Sequence, residues 1–446
     1  MNIGVIGGGI MGLTLAHKLQ EKGRSVTVYE SGSQLGGLAT YHDFGDFYWD
    51  KFYHVILPGD HFLLSLLKEL GLESKLRWKK TFTGYYVNQK FYSISSSMEF
   101  LLFPPLSMIS KCRLAITILY ASRIHDWKQM EKITIEEWLV KIGGRQTFEA
   151  FWKPLLLAKL GENYKKVSAV FIWTYIKRLF EARDTTAKKE EMGYVQGGYK
   201  TVFDRLEESL TSRGAAILTK TGVEAITPSE NGGIIVTANG ESTHFDKVIC
   251  TSPVNVMEQI ADPSLLQIKK SDQQVEYLGV ICMILRTKKP FTDYYVLNLA
   301  DDRIPFTGVI GMSTLVATEE TGGDYLTYFP KYMISTDPAL RESEEELTEW
   351  FMKGVKTLYP ELKDDDIIDI HLNRAFKVQP LQVLNYSEII PKTESLHPDF
   401  HIVNTSQFVN GTLNNNSVVK HVSEYLSKYK HSFLAHRQSH NPITFS

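Results

Sequence analysis

A chain of 446 residues can bury a large core, and at roughly 100–200 residues per domain it is long enough for two or three domains. Its 49 basic and 51 acidic side chains leave a net charge of -2, which excludes the basic excess typical of a nucleic-acid partner. Apolar residues at 43% and charged residues at 22% place it with soluble globular proteins rather than disordered or fibrous ones.

Ile3 to Ile6 predict a short buried strand, followed at once by Gly7-Gly8-Gly9-Ile10-Met11-Gly12. The run Leu13 to Lys22, closed by Gly23, predicts an amphipathic helix, and Val26 to Tyr29 a second strand ending in Glu30. That order of strand, glycine turn, helix, strand and acid is the fingerprint of a dinucleotide-binding unit. Gly7 permits the tight turn, Gly9 lets the backbone approach a pyrophosphate, and Gly12 allows the helix to pack closely on the sheet. The helix N-terminus, opened by Ile10 and Met11, points unpaired N–H groups at the phosphates. Glu30, about 20 residues after the glycines, is placed to accept hydrogen bonds from the adenosine ribose. The opening segment lacks the basic leader and the cleavage site of a signal peptide.

Next comes Ser31-Gly32-Ser33-Gln34-Leu35-Gly36-Gly37-Leu38-Ala39-Thr40. Here the sequence resembles the flavoprotein superfamily that includes amine oxidases, protoporphyrinogen oxidases, phytoene desaturases and UDP-galactopyranose mutases. The resemblance implies that Ser31 and the Gly36-Gly37-Leu38 loop pass along the diphosphate of FAD, a feature that nicotinamide dehydrogenases lack. It implies an α/β fold: a Rossmann-type FAD-binding domain, glutathione-reductase-like and of the amine-oxidase family, with an inserted mixed α+β substrate domain. The FAD domain is expected at 1–75, 190–270 and 370–430, the substrate domain at 76–189 and 271–369, and a loosely held tail at 431–446. No cysteine or histidine sits where covalent attachment of the flavin is expected, so FAD is expected to be held non-covalently.

Asp50-Lys51-Phe52-Tyr53-His54 follows the flavin loop. His54 has the right intrinsic pKa for proton transfer and Lys51 can stabilise reduced flavin, which makes both candidate catalytic residues. A structural histidine satisfied by its neighbours is the alternative reading of His54. Phe100 to Tyr120 is the most apolar stretch, but Pro104-Pro105, Lys111 and Arg113 break it below the ~20 apolar residues of a spanning helix. With Arg123 it has two readings. Burial inside the substrate domain is the favoured one; a peripheral dip into a bilayer face, admitting a lipid-linked substrate, is the other.

Thr134 and Glu137 form a capping-box start to a helix. Phe151 to Gly161, Val167-Ser168-Ala169 and Trp173 to Arg178 then resemble a stretch of the bacterial polysaccharide-associated branch of the superfamily and, more loosely, UDP-galactopyranose mutases. By that resemblance Lys159, Trp173, Lys177 and Arg178 are candidates for substrate contact, the basic ones suited to an anionic group such as a diphosphate. An amphipathic helix with packed aromatics and a solvated basic face explains the same residues.

Downstream, Gly197-Gly198 precedes a helix with apolar Val202, Phe203, Leu206 and Leu210, and Ala216 to Leu218 predicts a strand. The resemblance places Val223 beside the adenine and Thr251, at the end of the strand from Val248, close to the cofactor. Val280 to Arg286 predicts sheet, and Glu342 to Glu349 the solvated face of a helix. Gly308 to Met312 is apolar where relatives carry polar groups. Arg374 and Gln379, near the last FAD segment, are further candidates for the substrate pocket. His401 to Asn404 predicts the final strand, with Asn404 where the family usually has an Asp at the ribityl–phosphate end of FAD. Asn414-Asn415-Asn416-Ser417 then opens a last helix, either directed with Asn415 and Asn416 at the flavin pyrimidine or serving as a solvated turn and cap.

Cys112, Cys250 and Cys282 lie far apart, which argues against a disulfide framework and favours a reducing cytoplasm. No His/Asp/Glu grouping has metal-ligand spacing, so no metal is expected. A second glycine fingerprint for a nicotinamide nucleotide is absent. The sequence thus predicts a cytoplasmic FAD-dependent oxidoreductase that takes a hydride from a C–H bond of a bulky, glycan-like or lipid-like substrate, nucleotide- or lipid-linked, with no nucleic-acid partner. Peripheral contact at the inner membrane face is the unfavoured variant, and the oligomeric state carries no sequence signal. A non-redox mutase or isomerase acting on a nucleotide sugar, and a flavin-binding protein of low activity, are the competing readings.

Overall fold

The computed structural model describes residues 1–184, 191–267 and 274–433. Five parallel strands form the first sheet, in the order Phe400–Ile402, Lys247–Cys250, Asn2–Ile6, Ser25–Tyr29 and Ala216–Leu218. Asn2–Ile6 lies at its centre and is buried on both faces from Ile3 onward, which is why its apolar run does not alternate. The first helix (Ile10–Glu21), the helix Gly198–Ser212 and the last helix (Asn415–Lys428) share one core with this sheet, through Leu13, Val202, Phe203, Leu206 and Val422. A three-stranded antiparallel sheet, Val223–Pro228, Ile234–Ala238 and Glu241–Phe245, joins a second core with Ile6, Tyr29 and Val248.

The other large sheet has seven strands: Ile367–Pro380, Tyr277–Thr287, Tyr325–Ile334, Gly308–Gly311, Val296–Ala300, Thr83–Val87 and Lys90–Ser93. Its first strand corrects one expected boundary. Residues 370–380, expected in the final FAD segment, pair with Tyr277–Thr287 and so belong to the seven-stranded sheet. Backbone pairing decides this membership, and an apolar pattern does not report it. Helix Glu344–Leu358, started by a Ser343/Glu346 capping box, covers one face of the sheet with Leu347, Phe351 and Val355. The opposite face, with Cys282, Ile284, Tyr295 and Tyr328, packs on Phe44, Trp49 and Tyr194.

The first insert is helical. The elbow helices Ser97–Leu102 and Met108–Arg123 flank Pro104-Pro105, and Ile135–Gly143 begins with the Thr134/Glu137 capping box. The site helix, Ala169–Asp184, packs among them. Burial accounts for part of the apolar stretch, since Phe103, Leu106, Leu114 and Ala121 are enclosed. It fails for the rest: Leu101, Leu102, Met108, Ile109, Ile116, Leu119 and Tyr120 are exposed. No helix of the described residues is long and apolar enough to cross a membrane. Residues 434–446, most of the expected tail, lie outside the described residues.

Candidate functional site

Three glycines of the opening loop have no room for a side chain. Gly7 has φ +110°, and a Cβ there would lie 2.4 Å from the Thr251 hydroxyl, which itself donates to the Ile6 carbonyl at 2.8 Å. A Cβ on Gly12 would stand 1.9 Å from the Gly7 carbonyl oxygen. Gly8, which the fingerprint leaves free, is equally constrained, because a Cβ would meet Glu30 Cβ and Leu35 Cδ2 at 2.8 Å. Gly9 is different. A Cβ there would meet Gly37 Cα at 3.8 Å, an ordinary contact distance, so no protein neighbour forbids one and the glycine leaves free the space it would take.

The first helix begins beside that space with no side-chain cap on Gly9 and no acid in its first turn. Helical bonding starts with Leu13 N–H to Gly9 O at 3.0 Å, so the N–H groups of Ile10, Met11 and Gly12 precede the ladder and carry the positive end of the helix dipole. The second glycine pair runs alongside, with Gly36 N–H donating to Gly8 O at 2.9 Å and Leu38 half-buried in the turn beyond. Glu30 Oε2 accepts from Gly8 N–H and Oε1 from Gly32 N–H, both at 2.7 Å, and Ser31 Oγ lies 3.4 Å from Oε1. The carboxylate pins both loops, and Oε2, with a single donor, keeps a lone pair for a ribose hydroxyl. Thr221 N–H donates to Glu30 O at 2.8 Å, which leads the chain past Ser31 to Val223. A cradle that side chains would fill, a row of N–H donors and an acid beyond them fit the diphosphate and ribose of FAD.

The C-terminal residues are placed less simply. Asn404 is buried, its Oδ1 accepting from Ser406 N–H at 3.1 Å and Ser406 Oγ at 2.5 Å, and its Nδ2 donating to Ser252 O at 3.0 Å. Its side chain therefore shapes the turn, with both acceptor lone pairs and one amide N–H committed to protein, so the second N–H is all it keeps for another acceptor. The last helix starts at Asn415, capped by Asn414, which accepts from Ser417 N–H at 2.9 Å. Asn416 Oδ1 accepts from Leu63 N–H at 3.0 Å and so fastens helix His61–Glu69. Asn415 faces the Tyr199 hydroxyl.

Tyr53, Tyr175, Tyr332 and Lys159 come from four separate segments and meet in one tyrosine cluster. Tyr53 and Tyr332 hydroxyls are 3.0 Å apart, and burial pushes both far above the usual phenol range although the side chains keep partial exposure. Lys159 donates to Tyr175 OH at 2.7 Å, with its ammonium 4.3 Å from the Tyr175 ring centre and 5.5 Å from that of Tyr332. Burial opposes its charge, but Tyr175 and Tyr332 outweigh that and hold Lys159 above the ordinary lysine value. Thr307 locks this cluster, donating to Ala158 O at 2.8 Å and accepting from Tyr332 N–H at 3.2 Å.

His54 closes the side nearest the cradle. Its Nδ1 is 3.5 Å from Asp50 Oδ2, and its ring lies 5.0 Å from Tyr199. Asp50 is buried and accepts from Tyr199 N–H at 2.9 Å. Lys51 is parted from this pair: it faces His42, whose pKa is lowered by burial first and then by His371 and Lys51. Arg178 lies within electrostatic reach of Lys159 and Tyr199, but its guanidinium is engaged, 3.2 Å from Asp60 Oδ1 and 3.4 Å from Thr412 Oγ1. Asp60 is raised by burial against the pull of Arg178, so the pair fastens the site helix to the FAD domain.

Three expected substrate contacts are not supported. Trp173 is 3% exposed and donates its indole N–H to Ala121 O at 2.9 Å, making it a core residue between two helices. Lys177 stands one turn on, 5.3 Å above the Trp173 ring, on that same side. Arg374 pairs in register with Ile281, which faces the helix-covered core, whereas Tyr332 pairs with Val280 on the opposite face. A single residue of strand parity turns Arg374 to the face opposite Tyr332. Sequence reasoning missed Asp50, Tyr53, Tyr175, Tyr199 and Tyr332. Tyr175, one turn before Arg178, had a positional signal; Tyr332 had none. His17, Glu21 and Glu69 also come within metal-ligand reach of one another, a grouping that residue spacing did not show; Lys18 already pairs with both carboxylates.

With this geometry in hand, comparison with known proteins gives a consistent picture. The profile of the family described as flavin containing amine oxidoreductase matches residues 10–395. A zeta-carotene desaturase of Synechocystis sp. is 24% identical over 251 residues, 51% of this chain and 50% of that protein. A protoporphyrinogen oxidase of Arabidopsis thaliana is 33% identical over 73 residues, 16% of this chain and 14% of that one. The chain thus spans half or less of the length of the curated relatives it matches. Among solved structures, an oxidoreductase from Methanosarcina mazei superposes with a TM-score of 0.74 at 19% identity, over 96% of this chain and 100% of that one. Cyclohexylamine oxidase from Brevibacterium oxydans gives 0.66 at 15% identity, over 96% and 99%. At these identities the structural likeness shows the fold.

Proposed function

The chain belongs to the flavin containing amine oxidoreductase family and is an FAD-dependent oxidoreductase, and on that premise we propose that it removes a hydride from a C–H bond of a bulky, lipid-like substrate bearing one acceptor or anionic group. FAD, held non-covalently, supplies the two-electron acceptor when bound. The observation that supports this reading is the cluster of Tyr53, Tyr175 and Tyr332 around the Lys159 ammonium, which we read as the wall of a substrate chamber. Ring faces of Tyr53, Tyr175 and Tyr332 suit an apolar body, and their hydroxyl rims limit how it can turn. Lys159 stays charged and pairs with the acceptor group, which fixes the substrate along the chamber. His54, whose Nδ1 stands 3.5 Å from Asp50 Oδ2, is the group placed for proton transfer in this reading.

The matched desaturase is named for zeta-carotene; a hydrocarbon of that class suits the aromatic wall but offers Lys159 no acceptor, so an oxygenated or carboxylated apolar substrate is the better match. A nucleotide sugar calls for several basic groups, whereas Arg178 is paired with Asp60 and Lys177 lies over Trp173. The test is anaerobic mixing of the FAD-loaded protein with carotenoid, porphyrinogen and amine donors. Bleaching of the yellow flavin by a donor alone is the expected result. Turnover only after dithionite reduction would replace the proposal with isomerisation, and silence in both assays would leave a flavin-binding protein without this chemistry.

A further inference from the structure

The outer elbow helix, Met108–Arg123, is turned inside out. Its buried face carries Ser110, Lys111 and Thr117 beside Leu114 and Ala121, while its solvent face carries Met108, Ile109, Ile116, Leu119 and Tyr120. Ile109 is 64% and Ile116 57% exposed. The inward polar groups are satisfied locally: Lys111 donates to Leu101 O at 2.6 Å and Thr117 to Arg113 O at 2.8 Å. That first bond also holds the preceding helix end, so Leu102, 69% exposed, extends the same apolar surface across the Pro104-Pro105 elbow. Isolated exposed apolar residues need no explanation, but a stripe at helical spacing with polar residues turned in does.

We propose that this stripe docks the protein on an anionic lipid bilayer, lying in the interface rather than crossing it. Charge decides the occupant. From Phe100 to His125 the chain has no carboxylate, and Lys111, Arg113 and Arg123 are its cations, the two arginines exposed. An apolar stripe rimmed by cations matches the boundary between acyl chains and negative headgroups. A second copy is the poorer occupant, because a two-fold pairing of the stripe would bring arginines toward arginines with no acid in the segment to meet them. The docked face lies one helix from the chamber. Ala121 accepts the Trp173 indole N–H, and the site helix bearing Trp173 carries Tyr175 and Arg178 on its other side. Docking does not depend on the substrate reading, so the two fail separately.

The experiment is flotation of the FAD-loaded full chain with phosphatidylcholine vesicles, with and without phosphatidylglycerol, alongside light-scattering mass measurement without lipid. The wild-type protein is expected to float with the anionic vesicles. Ile116→Glu with Leu119→Glu, both exposed, is expected to lower bound protein at least about tenfold while flavin content is unchanged. Arg113→Gln with Arg123→Gln is expected to weaken anionic binding about thirtyfold at low salt, from roughly fivefold per cation near the surface. Absence of flotation, equal flotation with neutral vesicles, or flotation retained in the Glu variant overturns the proposal. So does a wild-type dimer that the Glu variant converts to monomer.

Discussion

Gly12→Ala isolates the physical claim on which FAD binding rests. The added Cβ would begin 1.9 Å from the Gly7 carbonyl oxygen and 3.3 Å from Val5 Cγ1, and ordinary contact begins near 3.4 Å. The first helix must therefore retreat by about 1.5 Å, although Leu13 and Leu15 hold it in a core with no free surface. Overpacking against backbone costs roughly 1–3 kcal/mol, which lowers the melting temperature by a few degrees in a chain of this size. The same retreat draws the N–H groups of Ile10, Met11 and Gly12 off the diphosphate. Each hydrogen bond to a charged group is worth roughly 1.5–3 kcal/mol, so losing two at the lower figure weakens FAD about 100-fold. Flavin per chain after dialysis, and quenching of FAD fluorescence by the apoprotein, measure this directly. Gly23→Ala is the control: it has φ +73° with no atom within 4 Å of the new Cβ, and it should cost about 1 kcal/mol with FAD affinity unchanged. A Gly12→Ala protein that keeps its full flavin at wild-type affinity would refute the reasoning.

Other expectations follow from the same coordinates. Lys159→Met should raise KM about 10- to 100-fold with flavin content intact, because it removes the charge that meets the substrate. Since Lys159 is held above the ordinary lysine value of 10.5, wild-type KM should stay flat from neutral pH to about pH 10. Trp173→Phe should destabilise by about 1 kcal/mol through loss of the bond to Ala121 O and leave KM unchanged, as a thermal melt and a saturation curve would show. His401 is lowered by burial to about 4 from 6.5, so folding favours its neutral form. Its contribution is complete above pH 6.5 and is lost as pH falls toward 4, amounting to about 3 kcal/mol. Melting temperatures from pH 7 to pH 4 should therefore drop less steeply for His401→Asn than for the wild type.

The cradle was legible because its constraints are local. Gly7, Gly12 and Glu30 act on one another within thirty residues, and each restricts the backbone in a way that only one or two residue types satisfy. Gly8 escaped notice because its constraint is a neighbouring side chain, Leu35, and not a backbone angle. The tyrosine cluster was not legible, since Tyr53, Tyr175 and Tyr332 come from a loop, a helix and a strand far apart in the chain and meet only in the folded protein. Arg374 shows how fine the distinction is. Asn373, its neighbour, pairs with Cys282 on the face of Tyr332, and nothing in the local sequence tells which of the two turns that way. Asn404 shows another limit: an amide in the position of a carboxylate can be read as a weakened ligand or as a turn-former, and the hydrogen bonds to Ser406 and Ser252 favour the second.

The outer elbow helix carries a different lesson. Its apolar stripe was visible as a run of hydrophobic residues, yet the usual inference that such a stripe faces the core gave the wrong side. The reliable sign was the polar set. Ser110, Lys111 and Thr117 share the opposite face, and each can satisfy itself against nearby backbone or the helix cap, so burying that face leaves few unmet donors. An apolar face turned outward has no such internal remedy. It lowers its free energy only by leaving water, which is why the exposed stripe demands a partner surface while the buried polar face demands none.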